Sequence, residues 1–205
     1  MQQATPHSGV TNTYVWDYTN TEPIAKVVNT TIDQVAYTSF ESNGTGSWSF
    51  SGAGRDSGHG FTGSLAFNLN VGGAVSRSGL TSGTTYIVSY WSMSTTPCTV
   101  TGSTAVLQGK TITINGTQWT YFEHTVTGTT SVSVSGTEEI DELRLYPSTA
   151  QMTTYTYNLL EGISSECDVD NRVTYYFYDT LGRLKYLKDQ DGNVVKTVEY
   201  HYMNQ

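Results

Sequence analysis

The stretch Tyr175-Tyr-Phe-Tyr178-Asp179-Thr-Leu-Gly182-Arg183-Leu184-Lys-Tyr-Leu-Lys-Asp189-Gln-Asp191-Gly192-Asn193 has the pattern of strands and tight turns. Tyr176, Tyr178, Leu184, Tyr186, Val194 and Val198 alternate with more polar neighbours, the period-2 signature of half-buried strands. Asp179-Thr-Leu-Gly182 and Gln190-Asp-Gly192-Asn193 carry Asp and Gly where a hairpin turn needs them. Gly tolerates positive φ, and an Asp side chain can accept from its own backbone. Residues 173–202 therefore read as a three-stranded antiparallel meander. The unit recurs. Tyr155-Thr-Tyr157-Asn158 matches Tyr176-Phe-Tyr178-Asp179, and Glu199-Tyr200-His-Tyr202 begins another copy. Tyr14-Val-Trp16-Asp17-Tyr18, followed by Pro23-Ile-Ala-Lys-Val27, is a degenerate copy. A repeat of roughly 20 to 25 residues suits a stacked array in which one unit cannot bury its own apolar face.

These tyrosine–aspartate copies resemble the repeats of the Rhs/YD-repeat family. The resemblance implies a bacterial parent, secreted or at the cell surface, in which such repeats build large hollow β-shells. It implies neighbouring repeats as contacts. Relatives of that family serve in bacterial competition or adhesion, so the resemblance names a kind of parent and no chemistry.

Composition agrees with an extracellular β protein. Only 14% of residues are charged, while Gly (20) and Tyr (15) abound. This is strand-and-turn chemistry, poor in strong helix formers, and no amphipathic helix is evident. The net charge of −8 argues against nucleic acid as partner, since phosphate binding needs a cationic stripe. No segment approaches the roughly 20 apolar residues of a membrane-spanning helix. Met1-Gln-Gln-Ala lacks the basic start and apolar run of a signal peptide. Beginning on a degenerate repeat suggests that Met1 was added to a fragment of a longer chain. Cys98 and Cys167 show neither a disulfide framework nor metal-ligand spacing; a bridge between them and two free thiols both remain open.

The copies divide the chain into an N-terminal strand segment at 1–34, a different module at 35–147, and a meander at 148–205. The middle module is a string of short strands parted by Gly, Ser, Thr and Asn. The candidates are 35–41, 47–50, 63–69, 74–78, 85–93, 99–107, 110–114, 118–126, 131–135 and 139–146. Such spacing argues for a sandwich or barrel. Thr85-Tyr-Ile-Val-Ser-Tyr90-Trp91-Ser-Met93 is apolar on both faces, as a central strand should be. The expected class is all-β: a sandwich plus antiparallel hairpins.

Four fragments, in order, carry a second resemblance: Ser39-Phe40-Glu41-Ser-Asn43-Gly44 with Trp48; Thr85-Tyr86-Ile-Val-Ser-Tyr-Trp91; Gly116-Thr-Gln-Trp119-Thr-Tyr121; and Glu139-Ile140-Asp141-Glu142-Leu143-Arg-Leu145. Together they look like the carbohydrate-binding-module jelly rolls of the galactose-binding-like superfamily. The resemblance implies that Glu41 and Asp141 meet at a structural Ca²⁺, with Asn43 or a nearby carbonyl as a further ligand. The ion would suit this set, since Ca²⁺ takes six to eight oxygens. The plainer reading is two strand-end carboxylates. It also implies a glycan or cell-surface polysaccharide as partner. Sugars need exposed rings with a few polar groups beside them. Trp48, Trp91 and Trp119 read as core residues, which leaves Tyr90 and Tyr121 as exposed candidates. In the Gly-rich loop Ser51-Gly-Ala-Gly-Arg55-Asp56-Ser-Gly-His59-Gly60, Arg55, Asp56 and His59 are candidate ligand contacts. The alternative is a solvated loop.

Catalysis finds no footing. His7, His59, His124 and His201 lack partners at metal-ligand spacing, and no Gly-x-Ser-x-Gly elbow exists. Two readings follow. One is a calcium-stiffened, glycan-binding adhesion module. The other is a purely structural or protein-contacting segment of a shell, with its tryptophans buried. Either way, strand edges in 170–202 stand open to self-association.

Overall fold

The structure is a computed structural model, and it describes residues 3–4 and 9–201. Met1, His7 and Tyr202, which figured in the sequence reading, lie outside the described residues. Among the described residues the strands are, in chain order, β1 (Gln3–Ala4), β2 (Asn12–Asp17), β3 (Glu22–Val28), β4 (Ala36–Thr38), β5 (Arg55–Ser57), β6 (Leu65–Asn68), β7 (Val75–Ser78), β8 (Tyr86–Ser92), β9 (Thr99–Val100), β10 (Ser103–Ile114), β11 (Thr117–Val126), β12 (Ser131–Ser135), β13 (Glu139–Pro147), β14 (Gln151–Asn158), β15 (Gly162–Cys167), β16 (Val173–Tyr178), β17 (Leu184–Asp189) and β18 (Val194–Thr197). Helical structure among these residues amounts to one turn, α1 (Leu69–Gly72), and two 3₁₀ turns. The protein is all-β, with antiparallel sheets, as the composition led one to expect. No helix among the described residues is long and apolar enough to cross a membrane.

The strands form three sheets among the described residues. The first runs β1-β2-β3-β14-β15-β16-β17-β18. Its two parts, far apart in sequence, join where Val28 of β3 pairs with Gln151 of β14. Everything from residue 29 to residue 150 is therefore set between two neighbouring strands of one meander. The second sheet runs β10-β11-β8-β13-β6-β5, with β4 also paired to β13. The third is the small sheet β7-β12-β9. Within 29–150 the second and third sheets make a sandwich around Ala36, Phe40, Trp48, Phe67, Val88, Tyr90, Phe122, Val132, Ile140, Leu143 and Leu145.

The other face of the second sheet is also covered. Phe61, Trp91, Trp119 and Tyr121 pack with Cys167 and Val173 of the first sheet. Tyr37 of β4 packs with Val15, Ile24, Val27 and Met152. The second sheet is thus the middle of three layers, and β8 and β13 are buried along nearly their whole length. Covering both faces of a strand removes the usual alternation of apolar and polar positions. Cys98 and Cys167 are free thiols in different clusters, both buried.

Most expected strands form within a residue or two. Four details differ, one of them β5, a strand inside the segment 51–60 that reads as a Gly-rich loop. Segment 47–50 makes only a single bridge, Ser49 to Ser76. The expected strand 99–107 splits into the short β9 and the start of β10, which runs on through 110–114 and is mostly exposed. Strand β15, too polar to read as a strand, supplies the partner of β14 and β16.

The last three hairpin turns of the first sheet, from β15 to β18, share one construction. Asp168, Asp179 and Asp189 each accept at Oδ1 from the amides two and four residues on: Asp170 and Arg172, Leu181 and Arg183, Asp191 and Asn193. The third residue after each Asp has positive φ: Asn171 at 58°, Gly182 at 71° and Gly192 at 85°. The short carboxylate replaces backbone partners in the turn, and Gly or Asn supplies the left-handed residue.

Candidate functional site

Strand β13 organises this end of the molecule. Its register with β8 slips between Asp141 and Arg144, and Glu142 has φ 54°. This is a β-bulge, one extra residue in one strand. Its effect is a change of face. Ile140 and Leu143, three apart, both enter the sandwich core, whereas a regular strand would send them to opposite faces. Asp141, Glu142 and Arg144 are released toward the loop and the first sheet.

Asp141 is fully buried. Its Oδ2 accepts from Phe61 N and Thr62 N, both at 2.9 Å, and its Oδ1 accepts from Glu142 N at 2.6 Å. Burial, with the adjacent Glu142 charge, pushes its pKa well above the usual carboxylate value. Glu41 accepts from Ser64 N at 2.7 Å and from Leu65 N. Burial raises its pKa as well, against the pull of those N–H bonds. Both carboxylates therefore grip the segment 61–65, and they belong to no three-group ligand cluster among the described residues. Asn43, the third expected metal ligand, lies two residues from Glu41 and is exposed at the lip of a groove.

Tyr90 and Tyr121 are not the exposed rings expected. Tyr90 is 0% exposed and Tyr121 8%. Tyr90 faces the sandwich core; its hydroxyl accepts from Cys98 N at 2.7 Å and lies 3.0 Å from His124 Nε2. Tyr121 lies under the first sheet; its hydroxyl donates to Glu123 Oε2 and accepts from Asn171 Nδ2 at 2.8 Å. The third layer covers the face that a two-layer sandwich would leave open. Trp48, Trp91 and Trp119 are buried, as read.

Arg55 is a clamp rather than a ligand contact. Its Nε donates to Phe40 O, and its Nη2 donates to Ser42 O and Gly44 O. Those bonds fix the loop 42–47. Asp17 holds the same loop by accepting from Gly44 N at 3.2 Å. A Cβ on Gly44 would run into the Asp17 carboxylate, so only glycine permits this approach. Asp56 and His59, by contrast, come together with Glu139, and one ligand atom of each lies within 4.8 Å of the others.

The fixed loop forms one wall of a groove of about 400 Å³ beside β2. Tyr14, Trp16 and Asp17 line it with Asn20, Asn43, Thr45 and Ser47. Tyr14 and Trp16 project from one face of β2, with ring centroids 6.4 Å apart. Both are half-buried. Sequence reasoning used these two residues only as markers of a degenerate repeat. Their i, i+2 spacing was the available signal, but the opposite wall comes from residues 43–47, which no local pattern connects to β2.

No protein-family model matches this chain, and no curated protein matches it. The functional reading rests on its own residues.

Proposed function

We propose that the chain is a non-catalytic, glycan-binding adhesion module of a secreted or surface bacterial protein of the YD-repeat kind. The carrying observation is the groove of Tyr14 and Trp16 facing Asn43, Thr45 and Ser47. Carbohydrate recognition asks for ring faces with amide and hydroxyl groups beside them, in a concavity of roughly 300–1,000 Å³. A rigid wall reduces the ordering entropy of binding, and Asp17 and Arg55 supply that rigidity. The sandwich, in this reading a jelly roll of the carbohydrate-binding-module type, contributes a wall rather than its own aromatic face. The three Asp turns, recurring in one uninterrupted meander, support a repeat array as the carrier. In this reading the fastening of segment 61–65 by Glu41 and Asp141 does not depend on calcium, because N–H bonds to both carboxylates already supply it.

The second reading is a structural segment of a repeat shell. The burial of Trp48, Trp91, Trp119, Tyr90 and Tyr121 favours it. A panel of immobilised polysaccharides separates the two. The adhesion reading expects saturable binding to one sugar class, lost in Trp16→Ala and weakened in Tyr14→Ala, with the melting temperature of each variant retained. Absence of binding to every glycan, or binding indifferent to Trp16, would transfer the assignment to the structural role.

A further inference from the structure

Asp56, His59 and Glu139 reach one point from separate pieces of chain. Asp56 lies on β5 and pairs with Ala66; Glu139 opens β13 and pairs with Asn68 of the intervening β6. His59 stands on the loop that follows β5. The Nδ1 of His59 is 3.6 Å from Oε2 of Glu139. That oxygen is buried and accepts no hydrogen bond among the described residues. The other oxygen of Glu139 receives a single long bond from Asn68 Nδ2 at 3.4 Å. Burial, then the Asp56 charge, raises the pKa of Glu139. Two carboxylates this close, with no donor between them, call for a shared proton or a cation.

The loop bearing His59 is held at both ends. Gly58 N donates to Ser64 O at 2.9 Å. Gly60 has no room for a side chain, since a Cβ would sit 2.7 Å from Thr62 O. Just beyond, Asp141 holds the amides of Phe61 and Thr62, and Glu41 those of Ser64 and Leu65. The imidazole is half exposed, which leaves a path for a small ion.

We propose that Asp56, His59 and Glu139 form a binding site for a divalent transition metal of the Zn²⁺ type, with the remaining coordination position open to solvent or an outside ligand. Zn²⁺ binds imidazole nitrogen and carboxylate oxygen at about 2.0–2.2 Å, so tetrahedral ligand atoms stand roughly 3.4 Å apart. The His59–Glu139 separation of 3.6 Å is close to that spacing. Imidazole in the set selects against Ca²⁺ and Mg²⁺, which take oxygen ligands. Two carboxylates also balance the charge of the ion.

The test is a Zn²⁺ titration of the EDTA-treated, dialysed full chain against a chromogenic zinc chelator, with Ca²⁺ in a parallel arm. One Zn²⁺ per chain is expected, with a dissociation constant on the order of 10 µM or tighter. His59→Ala and Glu139→Gln should each weaken it roughly tenfold or more. His201→Ala should leave it unchanged. Zn²⁺ should raise the melting temperature of the wild type and not that of His59→Ala. Metal-free melting curves of the variants establish that each folds, and Asp56→Asn stands in for any that does not. Absence of saturable binding, preference for Ca²⁺, or affinity unchanged in His59→Ala and Glu139→Gln would overturn the assignment.

Discussion

His124 is a buried titratable side chain without a charged partner. It is 1% exposed, with Nε2 3.0 Å from the Tyr90 hydroxyl and Nδ1 3.0 Å from Ser103 Oγ. Burial lowers its pKa to about 4. An unfolded histidine titrates near 6.5, so the unfolded chain takes up the proton first as pH falls. Stability is then fully present above pH 6.5 and declines as pH drops toward 4. The decline amounts to about 3 kcal/mol for this one group. Urea unfolding at pH 7.5, 5.5 and 4.5 should show it, and His124→Gln should flatten that part of the profile. A wild-type curve without slope between pH 6.5 and 4.5 would contradict it. At this scale the sequence was partly legible. The core tryptophans could be named from their strands. The burial of Tyr90 could not, because it depends on what covers each face of β8. The same holds for His124, whose neighbours Tyr90 and Ser103 are 34 and 21 residues away.

Among the elements, β13 joins the layers. Glu142 and Arg144 form an ion pair at 3.1 Å with 2% of each side chain exposed. Glu142 also accepts from Tyr37, Thr62 and Thr154, and Arg144 also donates to Thr154 and Asn171. The network ties β4, the loop at 62, β14 and the turn after β15 to one bulge. Desolvating two charges cancels much of their attraction, so the pair adds little net stability over an apolar substitute. Removing one partner is different, because it strands a buried charge. Arg144→Met should cost about 3–5 kcal/mol, and Glu142→Leu combined with Arg144→Met should recover much of that loss. Chemical denaturation of the single and double variants checks both. Equal destabilisation in single and double would contradict the account. The strand itself was legible from its composition, but the bulge was not. The run Ile140-Asp-Glu-Leu143 breaks the period of two, but only the layers packed on both faces turn that break into a bulge with Asp141 and Glu142 on the same side.

Across the whole molecule, one meander carries the sandwich between two of its own strands, and it ends on an open edge. All four residues of β18 are exposed, with Val194 and Val195 at 53% and 57%. On one side β18 pairs with β17; its other edge meets no strand among the described residues. Unpaired amides and carbonyls along such an edge are a template for another strand, and only charge, proline or cover prevents that. Lys196 is the one charge on β18. In a repeat array the next hairpin would take this place, which is why the sequence pattern of 173–202 could announce both the meander and its exposure. The isolated chain should therefore associate through β18 as concentration rises. Light scattering coupled to size exclusion should show monomer at low micromolar concentration and dimer or larger species well above it. Val195→Lys should hold the chain monomeric without lowering its melting temperature, since Val195 buries little. A chain that stays monomeric throughout, or a Val195→Lys variant that associates like wild type, would place any self-contact elsewhere than β18.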